Sequence, residues 1–130
     1  MTEQFGSERV QDVSDAFDLL RDARRRGVLY TVARKGRTHV SEIARRISAW
    51  QSTRGEEVDA SAVETALVHS HLPKLEDAGV IEYDTDDRTV DLTDSASDLE
   101  PFLQCTRERE PSLFRAARTP DVERVIGAGP

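Results

Sequence analysis

The chain has one cysteine, Cys105, in 130 residues. That excludes an internal disulfide framework and any cysteine-built zinc cluster within one chain. Aromatic residues make up only 5% of the sequence, and no window approaches 18 consecutive apolar residues, so no helical membrane span is expected. The opening Met1-Thr2-Glu3-Gln4 lacks the basic, apolar pattern of a secretory leader, and the expected location is cytoplasmic. Signatures of catalysis are also missing. There is no Gly-x-Ser-x-Gly, no Walker loop, no Gly-x-Gly-x-x-Gly and no His-Glu-x-x-His, so an enzyme is not expected. Lysine is almost absent: only Lys35 and Lys74 occur, and arginine supplies the remaining bases.

What is present is a chain of one-domain size with room for one modest core. Acids number 25 against 18 bases, a net charge of −7. Many carboxylates, scarce lysine and few large aromatics fit a protein of a salt-rich cytoplasm, where a carboxylate surface keeps the chain hydrated. The charge is segregated. Residues 1–20 carry −4, residues 21–54 carry +8 from ten bases and two acids, residues 55–100 carry −12, and residues 101–130 carry +1. Such a basic block inside an acidic protein either faces a polyanion or is neutralised across the fold.

The periodicity predicts mainly helix. Ser14 is placed to cap a helix over residues 15–21, with Ala16, Phe17 and Leu20 on one face. Asp22 precedes a second helix to Lys35, with Val28, Leu29, Val32 and Ala33 at helical spacing and Gly36 just past its end. Gly27 inside it costs about 1 kcal/mol against alanine. Thr38-His39-Val40 reads as a short edge strand. Ser41 is then placed to cap a third helix carrying Ile43, Ala44, Ile47 and Trp50, and residues 51–59 read as a loop. Ser61-Ala62-Val63-Glu64 fits a capping box opening a helix to Ala78-Gly79, in which Pro73 predicts a kink or break. Two β-rich runs, residues 80–84 and 88–92, flank a polar turn and predict a hairpin. Ser97 to Glu100 fits a second capping box leading through Phe102 and Leu103 to about Arg109. The expected organisation is a lead-in (1–13), a domain (14–93), a helix (94–109) and a tail of short helices or loose chain (110–130). The expected core holds Leu29, Val32, Ile43, Ile47, Val63, Leu67, Leu72, Leu75 and Ile81.

Helix, helix, short strand, helix, helix, hairpin, helix is the order of a winged helix-turn-helix. Several runs carry a closer likeness. His69-Ser70-His71-Leu72-Pro73-Lys74-Leu75, followed by Ala78-Gly79-Val80-Ile81, resembles the recognition-helix-into-wing segment of ArsR-like regulators. Arg24-Arg25-Arg26-Gly27-Val28-Leu29 resembles that family's arginine-rich second helix, and Val40-Ser41-Glu42-Ile43-Ala44 the start of its helix-turn-helix. The likeness spans roughly residues 14 to 93. The longer run on into Glu82-Tyr83-Asp84 is similar to small haloarchaeal ArsR-like winged-helix proteins.

The resemblance implies an α+β, mainly α fold: a winged helix-turn-helix with a two-stranded wing and an extra C-terminal helix. It further implies a transcriptional regulator binding double-stranded DNA as a homodimer, without a cofactor. It places Thr65, Ala66, His69 and Ser70 on the face that reads bases in the major groove. Arginine or glutamine is common on that face in the family and absent here. It places Arg37, Arg45, Arg46, Arg54 and Lys74 near phosphates. A dimer interface is expected from Val13, Phe17 and Leu20 with Leu99, Phe102 and Leu103. His71 matches the family's histidine before the leucine pair and is expected half-buried and hydrogen-bonded. His69 and His71 lie about 200° apart around a helix and do not form an i, i+4 ligand pair, so no metal site is expected. Against DNA stands the wing tip, Asp84-Thr85-Asp86-Asp87-Arg88, whose acids are repelled by phosphate. The competing expectation is a winged-helix module that docks a protein partner instead of DNA.

Overall fold

The structure is a computed structural model and describes residues 13–118. Most of the expected lead-in, and residues 119–130 of the expected tail, lie outside the described residues. α1 (Val13–Leu20) and α2 (Ala23–Lys35) are joined at Asp22, whose carboxylate accepts from the Arg24 amide at 2.8 Å and caps α2. Gly36 ends α2 at φ +80°, a conformation that costs glycine little, and its amide donates to the Val32 carbonyl. Gly27 lets α2 pack closely on α3 and α7. A Cβ there would lie 3.0 Å from Ile47 Cγ1 and 3.5 Å from Leu113 Cδ1.

β1 (Thr38–His39) leads directly into α3 (Val40–Thr53). The cap of α3 is His39 rather than Ser41. Its Nδ1 accepts from the Ser41 amide at 3.0 Å, so an unprotonated ring nitrogen does the work expected of a hydroxyl. After the loop, α4 (Ala60–Ala66) passes into one π-helical turn (Leu67–His71) and then α5 (Leu72–Asp77). The expected capping box does not form. Asp59 precedes the helix, the Ser61 hydroxyl donates to its carboxylate at 3.0 Å, and Glu64 turns away to Arg88. Nor does Pro73 break the helix. It falls in the first turn of α5, where its missing N–H is least costly, and the preceding turn widens so that the Leu72 amide bonds back to Leu67.

β2 (Ile81–Asp84) and β3 (Thr89–Leu92) form the hairpin, in register Ile81 with Leu92 and Asp84 with Thr89. β1 pairs antiparallel with the other edge of β3, giving the sheet order β1-β3-β2. The Asp84 carboxylate accepts from the amides of Asp86 and Asp87, closing the turn, and Arg88 follows at φ +60°. A 3₁₀ segment (Asp94–Leu99) replaces the second expected capping box, with the Ser97 hydroxyl donating to the Asp94 carbonyl. α6 (Glu100–Arg109) and α7 (Pro111–Arg118) complete the described chain.

The result is a mainly helical winged helix-turn-helix with a small antiparallel sheet and additional C-terminal helices. All nine expected core residues are buried. The core also extends past the wing: Leu99, Leu103, Leu113 and Ala117 are buried with it, and α7 packs on α2 and α3. Residues 111–118 therefore form part of the core. This revises the expected interface as well. Leu20, Leu99 and Leu103 are buried within their own chain, leaving Val13 and Phe17 exposed with the partly buried Phe102 against Phe17, ring centroids 5.7 Å apart. Ala33, expected on the inner face of α2, is exposed. No helix among the described residues is long and apolar enough to cross a membrane.

Candidate nucleic-acid interface

Val63, Leu67, Leu72 and Leu75 sink the inner side of the α4–α5 helix into the core, which leaves the opposite side outward. Thr65, His69 and Ser70 are exposed there and Ala66 is partly so, which brings the four expected base-reading residues onto one surface. The Thr65 hydroxyl donates to the Ser61 carbonyl at 3.0 Å, so its proton is used within the helix while its lone pairs stay outward. The wide turn keeps both His69 and Ser70 outward while His71 and Leu72 both turn in.

His71, expected half-buried and hydrogen-bonded, is buried and keeps its partner. Its Nδ1 lies 3.3 Å from the Arg25 guanidinium and its Nε2 4.0 Å from the Asp22 carboxylate. Burial pushes its pKa below the usual histidine value; Asp22 opposes this, and Arg25 and Arg24 reinforce it. The neutral ring then accepts at Nδ1 from Arg25.

The arginine run at the start of α2 is spent inside the molecule. Arg25 is buried and donates to the carbonyls of Leu19, at 2.6 Å, and Asp18, at 3.0 Å. Arg26 reaches the Leu20 carbonyl and makes a two-toothed pair with Glu110. Together they satisfy the exposed carbonyls at the end of α1. Glu110 also accepts from the Tyr30 hydroxyl at 2.8 Å, and burial pushes that phenol's pKa far up.

Arg46 follows the same pattern, and the expectation that it meets phosphate is corrected. Its side chain is 4% exposed. It donates twice to Glu42, one turn earlier on α3, and reaches the Ala116 and Ala117 carbonyls of α7 at 3.3 Å. Burial pushes the Glu42 carboxyl up, but Arg46 and Lys35 together overcome this and hold it below the usual carboxylate range. The sequence carried a signal for this role. Glu42 is one of only two acids in the basic block, and it stands four residues before Arg46.

The other expected phosphate contacts lie at the surface. Arg45 is exposed on α3, and Arg54 is exposed with its guanidinium stacked over Trp50 at 4.9 Å. Arg37 lies 3.8 Å from Asp91, beside an open cavity of about 220 Å³ on the wing sheet. Lys74 pairs with Asp18 at 2.9 Å, which holds the Asp18 carboxyl below its usual range. Arg88, which sequence reasoning left out of the site, pairs with Glu64 of α4 and links the wing to that helix. The wing tip exposes Asp84, Asp86 and Asp87. Among the described residues no group of three or more His, Cys, Asp or Glu is arranged to hold a metal ion.

Residues 17–91 match the family described as "Domain of unknown function (DUF7344)", a stretch covering more than half of the chain. The match runs from α1 into β3 and stops short of α6 and α7. No curated protein and no solved structure matches the chain. The chain belongs to the DUF7344 family.

Proposed function

We propose that this member of the DUF7344 family is a non-enzymatic, DNA-binding transcriptional regulator of the ArsR-like winged-helix type, working in the cytoplasm of a halophilic archaeon. The reading rests on one observation above others. The outward face of α4 and the following turn exposes Thr65, His69 and Ser70 beside Ala66, on a helix whose opposite side is held by the core. In this reading Thr65 accepts, and His69 and Ser70 donate or accept, at base edges, while Ala66 touches a thymine methyl. Arg37, Arg45, Arg54 and Lys74 meet phosphates. Two copies related by a two-fold axis present two such helices, with Val13, Phe17 and Phe102 as the apolar contact.

A second reading, a protein-docking module, is favoured by the acidic wing tip. In molar salt the repulsion between that tip and phosphate is confined to about 3 Å, so the tip disfavours DNA only at close approach. Random-oligonucleotide selection at molar KCl distinguishes the readings. An enriched duplex motif, lost with the Arg45→Gln/Arg54→Gln double variant, supports the regulator. No enrichment from any pool supports the docking module.

A further inference from the structure

The exposed cations of the wing and of α5 are occupied in a way that those of the scaffold are not. Arg26 and Arg46 each bind a carboxylate and main-chain carbonyls together, and both are largely buried. Arg88, Arg37 and Lys74 each face one carboxylate, and their side chains are 45%, 60% and 42% exposed. The three carboxylates come from three elements: Glu64 on α4, Asp91 on β3 and Asp18 on α1. We infer that Glu64, Asp91 and Asp18 hold, in the free protein, the positions that DNA phosphates take on Arg88, Arg37 and Lys74. Duplex binding then proceeds by exchange of carboxylate for phosphate. This rests on the DNA-binding reading and adds Arg88 to it as a phosphate contact.

The wing is built for exchange at Arg88. Its amide donates to the Asp84 carbonyl at 2.7 Å, and its carbonyl accepts from the Val40 amide, the first residue of α3, at 2.9 Å. Its backbone sits at φ +60°, unusual for a residue with a side chain, and these two main-chain bonds hold it there. The guanidinium can therefore leave Glu64 while the wing stays in place. Glu64 precedes Thr65, so the released arginine stands at the edge of the base-reading surface, where a phosphate strand flanks the groove. Exposed pairs of this kind are weakly held, and a polyanion offers several phosphates at once. The three carboxylates thus act as internal competitors that lower affinity for any duplex and leave tight binding to sites where base contacts add to it.

The test is a gain of binding. Fluorescence anisotropy with a short mixed-sequence duplex compares the full chain with Glu64→Gln, Asp91→Asn and Asp18→Asn. Asp98→Asn serves as control, removing one charge at an acid that has no ion pair among the described residues. Each exchange-site variant should bind about two- to fivefold more tightly than the control, the range expected from removing one exposed pair. The gain from Glu64→Gln should vanish in an Arg88→Gln background. Thermal melts accompany each variant, and Glu64→Asp, which keeps the charge, should bind as the native chain does. Gains no larger than that of Asp98→Asn, or a Glu64→Gln gain that persists without Arg88, overturn the exchange while DNA binding itself stands. Absence of duplex binding by the native chain and by every variant overturns both.

Discussion

The arginines packed against α2, α3 and α7 and the cations left at the surface carry the same charge and have opposite fates. On the scaffold side, Arg25, Arg26 and Arg46 are drawn in to satisfy carbonyls at helix ends and to pair with Glu110 and Glu42. By contrast, Arg37, Arg45, Arg54, Lys74 and Arg88 are exposed. The contrast is sharpest at adjacent residues, Arg45 and Arg46, one outward and one inward on the same turn. A block of +8 in the sequence is therefore not a positive surface of that size. Much of it is structural, and the remainder sits among exposed acids. The comparison also explains why an acidic chain needs arginine in particular: a planar fork can bind a carboxylate and a carbonyl together, and a lysine ammonium does this less well.

The largest effect should separate those two neighbours. Arg46→Ala leaves the Ala116 and Ala117 carbonyls of α7 without this donor and the partly buried Glu42 carboxylate with Lys35 alone, and should cost about 2–4 kcal/mol of stability in urea titrations. Arg45→Ala should cost about 0.5 kcal/mol or less and weaken DNA binding instead. Equal costs would break the comparison. Next in size is the seam on which the scaffold side depends. Gly27→Val pushes methyl groups against Ile47 and Leu113 and should cost about 1–3 kcal/mol, with α7 loosened first in hydrogen exchange.

Much of this was legible in advance, and the reason differs by element. Hydrophobic spacing placed the helices, the hairpin and the nine core residues, because burial on one face imposes the period. The caps were less legible. Ser41, Ser61 and Ser97 each had the right residue type, but His39, Asp59 and the 3₁₀ turn took their places, since capping depends on geometry that sequence spacing leaves open. The π turn was signalled only as a disturbance at Pro73. The residues expected to read bases came out on one outward surface because they share a helix. The phosphate set was mixed, because exposure of an arginine depends on distant partners. Arg46 was lost to α7, seventy residues on, and Arg88 was missed because Glu64 reaches it only in the fold.

A smaller effect tests the joint between the two sides, where Arg25 meets His71. Burial lowers the His71 pKa, so the unfolded chain takes up a proton first as pH falls below about 6.5. Stability should be fully present above that pH and decline as acidification continues towards the lowered folded value. His71→Gln keeps an acceptor for Arg25 and should flatten this dependence in melts between pH 7.5 and pH 5.5. An unchanged slope would place the titration elsewhere. The smallest effect belongs to single exposed cations. Arg54→Gln should leave stability nearly unchanged and lower affinity for all duplex sequences alike, reducing the salt slope by about one unit.

The central claim is that the outward face of α4 and the wide turn after it, and not the arginine-rich scaffold, meets DNA. Amide shift mapping at high salt, with a duplex added to the labelled chain, tests it most directly. Signals of residues 61–70, together with Arg37 and Arg88, should move and saturate, while those of Arg25, Arg46 and α7 stay in place. Movement centred on α1 or α7, or no saturable movement at residues 61–70, would contradict it.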